Sequence, residues 1–342
     1  MTSHLKTTLF QIYHSKKLHF CKEDRAVSCF GFGVMGMTHH RGIPKDRNEM
    51  ILLLRKATDL GINLFDTAEI YGPFNNEILV GDAFGNREDV LICTKFGHKI
   101  VDGKPVPGGL DSSPQHIRKV CEESLKRLQR ERIDVFYQHR FDPNIPIEEV
   151  AGACEDLIRE GKIRGWGLCE VSSEIIRRAH ETCPLTAVQS EYHLMWRRPE
   201  TAVLPLLKKL GVAFVPYSPL NRGFLSGTIT PNTKFFAAND NRASLPRFTP
   251  KAIQQNMTIV RCIERFGSEH GMSPVQVTLS WLLRKANVIP IPGTTQYDHL
   301  LENIESIRFE VPEEEWRELE DEIFQIPIQG DRYSGIEKAQ TA

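Results

Sequence analysis

One pattern limits this chain more than any other: short β-rich apolar runs alternate with helical patterns eight times over. The runs are "AVSCFGFG" (26–33), "INLFDT" (62–67), "VLICTK" (90–95), "IDVFYQH" (133–139), "IRGWGLC" (163–169), "TAVQS" (186–190), "VAFVPYS" (212–218) and "NVIPIPG" (287–293). Each is nearly continuous in apolar residues, as strands are when both faces of a parallel sheet are covered. Helical periodicity fills 48–60, 75–84, 114–128, 147–160, 173–181, 200–210 and 274–285. Ser273-Pro274-Val275-Gln276 has the form of a capping box with proline at the first helical position. Gly61, Gly161 and Gly211 stand where helices commonly stop. Eight β-then-α units in 342 residues predict an α/β fold, a single-domain (β/α)8 TIM barrel. A doubly wound open sheet is the competing arrangement.

Residues 220–250, rich in Asn, Thr, Pro and Phe, break the rhythm after the seventh strand. A stretch of that length without periodicity reads as a lid or binding loop. A helix over 251–270 follows it, and "PEEEWRELEDEI" (312–323) predicts a C-terminal helix. The expected organisation is a barrel over 26–325, an N-terminal extension over 1–25 and a C-terminal tail over 326–342. The formal charge of −1 gives no electrostatic reason to expect nucleic acid or an anionic membrane as partner. The first residues, "MTSHLKTTLFQIYH", do not read as a signal peptide, and the apolar runs are too short to span a bilayer. Eight cysteines (Cys21, Cys29, Cys93, Cys121, Cys154, Cys169, Cys183, Cys262) include no C-x-x-C pair, which suits buried thiols in a reducing cytoplasm.

Gly31-Phe32-Gly33-Val34-Met35-Gly36 is formally G-x-G-x-x-G. A dinucleotide cradle needs a helix to open at the third glycine, and an acidic residue about 20 positions on. Here "MTHHRGIP" follows Gly36, periodicity resumes only near Asn48, and the first strand-end acid, Asp66, lies thirty positions on. The motif therefore reads as a turn at a barrel mouth. Tyr13-x-x-x-Lys17 looks like a short-chain dehydrogenase pair but precedes every strand that could build a site.

Barrel chemistry gathers at the C-terminal strand ends. Those ends supply Asp66, Lys95 and His139, with Tyr71 five residues beyond Asp66. A phenol alone is too weak an acid for neutral pH, but a lysine cation favours its phenolate, and Asp66 would keep that lysine charged. His139 could polarise a carbonyl. Each residue also has a structural reading: a helix cap for Asp66, an ion pair for Asp66 and Lys95, a satisfied barrel histidine for His139, a turn residue for Tyr71. Two ligands, Asp66 and His139, are too few for a metal cage, so no metal is expected.

"NLFDTAEIYG", "CTKFG", "DVFYQHR", "AVQSEY", "VPYSPLNRGFLSG" and "IPIPGTT" followed by "LLEN", in this order, resemble the aldo-keto reductase superfamily. The likeness is to the microbial and plant branch that includes perakine-reductase-like and pyridoxal-reductase-like enzymes. The resemblance runs from about residue 26 to 323. It implies a barrel that holds a nicotinamide cofactor without a Rossmann domain, and a catalytic tetrad of Asp66, Tyr71, Lys95 and His139 with Tyr71 as general acid. It further implies Gln189 and Cys169 at the carboxamide, Tyr217 stacked on nicotinamide, and Ser218, Pro219, Leu220 and Arg222 along the pyrophosphate. Gly293, Thr294, Thr295, Gln296, Glu302 and Asn303 match the adenosine end.

Three positions depart from the branch: Cys169 where serine is usual, Asn221 where glycine is common, and Gln296 where Lys or Arg is usual. A 2′-phosphate is normally met by a cation. NADPH is the expected cofactor on family grounds and NADH the alternative, with Arg222 or a protonated His299 able to compensate. Met35, Met37, Phe96, Phe141 and Trp196 are the pocket candidates for a small or medium apolar aldehyde or ketone. Arg140 would favour an anionic group or pair with a nearby acid. The rival functions are a slow or non-catalytic nicotinamide-sensing protein on the same barrel, and a metal-dependent barrel isomerase or hydrolase.

Overall fold

The computed structural model describes residues 16–20 and 23–341, so Tyr13 and Cys21 lie outside the described residues. An antiparallel hairpin comes first, β1 (Lys16–His19) against β2 (Asp24–Val27). The barrel begins with β3 (Phe32–Gly33), then α1 (Arg47–Asp59), β4 (Leu64–Asp66), α2 (Asn75–Phe84) and β5 (Leu91–Phe96). A second hairpin, β6 (His98–Val101) with β7 (Lys104–Leu110), is inserted before α3 (Pro114–Leu128). The alternation resumes with β8 (Ile133–Gln138), α4 (Ile147–Arg159), β9 (Ile163–Cys169), α5 (Ser173–Thr182), β10 (Ala187–Glu191), α6 (Val203–Leu210) and β11 (Ala213–Tyr217). Next come α7 (Pro250–His270), α8 (Pro274–Leu283), α9 (Tyr297–Glu305), α10 (Glu313–Phe324) and a short α11 (Gly335–Ala339). Seven strands pair in parallel in the order β11-β10-β9-β8-β5-β4-β3.

The expected first strand, 26–33, is two elements. Its apolar run is continuous, yet Asp24–Val27 pairs antiparallel with β1, and only Phe32–Gly33 joins β4. The expected eighth strand, 287–293, forms a single parallel bridge, Phe214 with Val288, because Pro290 and Pro292 bring no N–H to a ladder. It closes the cylinder all the same. Ile289 N and Ile291 N donate to Phe214 O (2.8 Å) and Pro216 O (3.2 Å) on one side. On the other, Gly31 N and Gly33 N donate to Pro290 O (2.9 Å) and Pro292 O (3.3 Å). Gly33 and Gly293 meet across this seam, where a Cβ on Gly293 would lie 2.3 Å from the Gly33 carbonyl oxygen. The sequence's glycine motif thus marks close strand approach, and Gly36 sits in a 3-10 turn, Met35–Met37.

Alternation along each strand sorts side chains into two cores. Leu64, Leu91, Cys93, Val135, Tyr137, Cys169, Val215 and Ile291 fill the cylinder, and Leu18, Phe20 and Val27 of the first hairpin pack against them. Phe32, Phe65, Ile92, Phe136, Trp166 and Phe214 face the helices. Local signals set the helix starts. The Ser273 capping box is present in both directions, and Asp46, Ser113, Ser172 and Thr249 cap their helices with side-chain oxygens. The helix expected over 200–210 starts three residues late, at Val203, because a 3-10 turn over Arg198–Glu200 precedes it.

Candidate active site

The C-terminal strand ends converge at one mouth. Lys95 is fully buried, and its Nζ bonds Asp66 Oδ1 and the Thr67 carbonyl (2.8 Å). The other Asp66 oxygen accepts from Gln189 Nε2 at 2.8 Å. Lys95 Nζ stands 5.2 Å from the centre of the Tyr71 ring, and the His139 ring meets Tyr71 edge-on at 5.8 Å. Asp66, Tyr71, Lys95 and His139 are therefore one cluster, with Gln189 beside it.

Burial opposes the charge on Lys95, but Asp66 and then Tyr71 overcome it, and its pKa is raised. Tyr71 differs from the sequence expectation. Burial raises its pKa, and the opposing pull of Lys95 does not cancel that, so Tyr71 keeps its proton at neutral pH. Burial, then His98 and Arg140, hold His139 well below the ordinary imidazole range, so its ring is neutral. His139 Nδ1 is buried with no hydrogen-bond partner among the described residues. The site thus holds a protonated phenol, a fixed ammonium and a neutral imidazole.

Beside it, Tyr217 ends β11, and the chain takes left-handed turns at Ser218 (φ 48°), Asn221 (φ 46°) and Arg222 (φ 55°). Such backbone concavities suit anions. Pro219 and Arg222 are buried, Leu220 is half-buried, and the Asn221 Oδ1 has no hydrogen-bond partner among the described residues. The adjacent seam segment leads into Gly293, Thr294, Thr295 and Gln296. The Gln296 side chain makes no cap for α9, and Thr294 Oγ1 accepts from its backbone N at 3.0 Å. Further along α9, Glu302 accepts from Ser273 Oγ (2.7 Å), and Asn303 is buried. Cys169 is buried at the end of β9, its thiol pushed up to about 12 by burial. An orphaned polar atom, a left-handed turn series and an exposed helix start along one continuous edge fit a long dinucleotide with a phosphate-bearing middle.

The pocket candidates divide. Met35, Phe141 and Trp196 are half-buried. Phe96 is not at the mouth: Lys95 points inward, so the next residue points outward, and Phe96 packs on Phe136 at 4.6 Å in the helix-facing core. Met37 is buried in the same core.

Sequence reasoning missed a buried charge network and the segment that completes it. After α10 the chain runs back across the mouth. Gln329 and Asn256 exchange two hydrogen bonds of 2.9 Å, and Arg247 Nε donates to Gly330 O at 3.3 Å. Arg332 grips Glu170 through two bonds (3.1 and 2.8 Å) and lies 3.5 Å from Glu191. Tyr333 shares a 2.8 Å hydroxyl bond with Tyr217, whose own hydroxyl reaches Glu170 at 2.9 Å. Glu191 also meets His193 (2.9 Å) and Arg222 (3.3 Å). Burial opposes its charge, but Arg222 leads the groups that hold it well below the usual carboxylate range. Trp196 lies under the Arg332 guanidinium at 4.3 Å. No local sequence pattern links Glu170, Glu191, Arg222 and Arg332, which stand far apart along the chain.

The aldo/keto reductase family model matches residues 30–323. The chain belongs to the aldo/keto reductase family. A curated relative, "Probable aldo-keto reductase 1" of Glycine max, is 39% identical over 312 residues, which is 90% of this chain and 88% of that one. Among solved structures, the glycerol dehydrogenase AKR11B4 from Gluconobacter oxydans is similar with a TM-score of 0.82 at 27% identity, covering 94% of this chain and 99% of that one. An aldo/keto reductase from Klebsiella pneumoniae, in complex with NADP and acetate, matches with a TM-score of 0.70 at 25% identity over 93% of this chain and 99% of that one. This aldo/keto reductase is accordingly a (β/α)8-barrel oxidoreductase that depends on a nicotinamide cofactor. Among the described residues, no helix is long and apolar enough to cross a membrane, and no three His, Cys, Asp or Glu side chains are grouped to hold a metal ion.

Proposed function

We propose that this aldo/keto reductase uses NADPH to reduce an aldehyde or ketone to the alcohol, with Tyr71 as the proton donor. The observation that carries the reading is a phenol kept protonated by burial while an ammonium, Lys95, stands 5.2 Å from its ring. When bound, the cofactor supplies a hydride to the carbonyl carbon. Tyr71 donates its proton to the oxygen, and Lys95 stabilises the phenolate left behind. Asp66 holds Lys95 charged and in place, since an unpaired buried ammonium would shed its proton. The neutral His139 ring donates one N–H to the carbonyl oxygen and so orients it.

Gln189 and Cys169 would meet the carboxamide, and the half-buried Tyr217 ring would face the nicotinamide. Ser218, Pro219, Leu220 and Arg222 would hold the pyrophosphate on left-handed backbone turns. Thr294, Thr295, Gln296, Glu302 and Asn303, after Gly293, would take the adenosine. NADPH is preferred because the Klebsiella pneumoniae relative is described with NADP.

Fluorescence titration with NADPH and NADH, followed by nicotinamide absorbance with a panel of aldehydes, tests both parts. Tyr71→Phe is expected to bind cofactor as the parent does and to lose about 10²–10⁴-fold in reduction. Turnover unchanged in that variant refutes the role of Tyr71. Tighter binding of NADH than of NADPH refutes the cofactor preference.

A further inference from the structure

Arg140 directly follows His139 at the end of β8 and is half-buried at the mouth. Its Nη1 donates to the His139 carbonyl at 2.7 Å. The neighbouring cations are each matched: Lys95 by Asp66, Arg222 by Glu191, Arg332 by Glu170. Among the described residues, no carboxylate lies within ion-pair distance of Arg140. The acid whose field reaches it, Glu170, is committed elsewhere. Glu170 accepts from Glu191 N (2.7 Å), Tyr217 Oη (2.9 Å) and both Arg332 nitrogens. The groups that face Arg140 are otherwise uncharged at neutral pH. They are the Tyr71 and Tyr217 hydroxyls, the Cys169 thiol and the rings of His98 and His139, and the Tyr333 hydroxyl, bonded to that of Tyr217, faces Arg140 as well. His98 stands edge-on to His139 at 4.8 Å, and His139 itself has a buried nitrogen with no partner among the described residues.

Glu170 and the tyrosine hydroxyls around Arg140 favour its charge, yet among the described residues no carboxylate pairs with the guanidinium, which is left to take an anion as its partner. The cofactor's phosphates do not supply it, because the loop suited to them is at Ser218–Arg222, where Arg222 already stands. What remains is the substrate. We propose that Arg140 is a specificity-determining residue and that it selects carbonyl substrates carrying a carboxylate. The planar fork of Arg140 would take the two carboxylate oxygens while the carbonyl lies against Tyr71 and His139. This rests on the reductase reading of the mouth.

The test compares 4-oxobutanoate with its methyl ester as NADPH-dependent substrates of the parent, Arg140→Met and Arg140→Lys. A calorimetric titration of succinate into each NADP-loaded protein runs alongside. The parent is expected to favour the acid over the ester by about tenfold or more in kcat/KM, the range of a charge-assisted pair. Arg140→Met should bring that ratio close to one and weaken succinate by a similar factor, and Arg140→Lys should retain part of both. A parent without preference, or a preference that survives in Arg140→Met, overturns the anion role while reduction stands. If no aldehyde is turned over but succinate binding still depends on Arg140, the anion site stands and the reductase reading fails. Succinate binding indifferent to Arg140 overturns the anion site in either case.

Discussion

Replacing Asp66 by asparagine keeps the shape of the side chain and removes only its charge. Lys95, fully buried, would then have an amide oxygen and the Thr67 carbonyl as its acceptors. Leaving one partner of a buried ion pair alone costs about 3–5 kcal/mol. The lysine's alternative is to lose its proton. Burial can depress a lysine by up to about 3–5 units, at roughly 1.4 kcal/mol each, so that route leads to a cost of the same size. The sign with pH follows. In the variant, Lys95 would have a folded pKa below its unfolded value, so between the two the unfolded chain binds the extra proton and stability rises with pH. In the parent the shift is upward, and the pair's contribution is full below the ordinary lysine range and lost above it. Urea unfolding at about pH 7 should therefore give a loss of about 3–5 kcal/mol for Asp66→Asn, shrinking towards about pH 10. Adding Lys95→Met, which removes the stranded charge, should recover most of it. A loss under about 1 kcal/mol at neutral pH, or no recovery in the double variant, would refute the reasoning.

Two further outcomes follow from geometry. Glu69 is buried with one carboxyl oxygen lacking a hydrogen-bond partner among the described residues, and burial, reinforced by Glu77, pushes its pKa up to about 8. The folded state therefore holds a proton that the unfolded chain releases, so the parent loses stability as pH rises from the ordinary carboxylate range to about 8. Glu69→Gln should flatten that decline in urea midpoints, and parallel curves would count against it. Gly293→Ala forces a Cβ against the Gly33 carbonyl across the seam and should cost about 1–3 kcal/mol in the same assay. Gly152→Ala, in α4 with nothing within 4 Å of the added carbon, should instead be neutral or slightly stabilising; equal effects from the two would undo the steric argument.

The strand ends were legible because polar residues interrupt apolar runs there, and a parallel cylinder brings such ends together whatever their separation in sequence. That is why Asp66, Lys95 and His139 fall into one group on sequence alone. Apolar continuity cannot tell which face or which sheet a run joins. It merged β2 with β3, and it offered Phe96 for the mouth when alternation from Lys95 turns it to the helices. Hydrogen-bond capacity was the missing variable at 287–293, where two prolines leave a strand without a regular ladder. The network around Glu170 and Arg332 joins residues 162 positions apart through loops without periodicity. Nothing local in "DRYSG" announces a partner. The net direction of the Tyr71 shift was likewise out of reach, since it depends on how deeply the ring is buried.

The seam has a mechanical consequence. Five amide donors zip the cylinder where neighbouring strands pair in ladders, so breathing of the barrel should start there, and exchange of the Gly31, Gly33, Phe214, Ile289 and Ile291 amides would register it. A dinucleotide lying from the loop after β11 to the first turn of α9 would clasp both rows of that zip. Loading the cofactor would then slow exchange at these amides more than at those deep in β8, tying the molecule's rigidity to its redox partner.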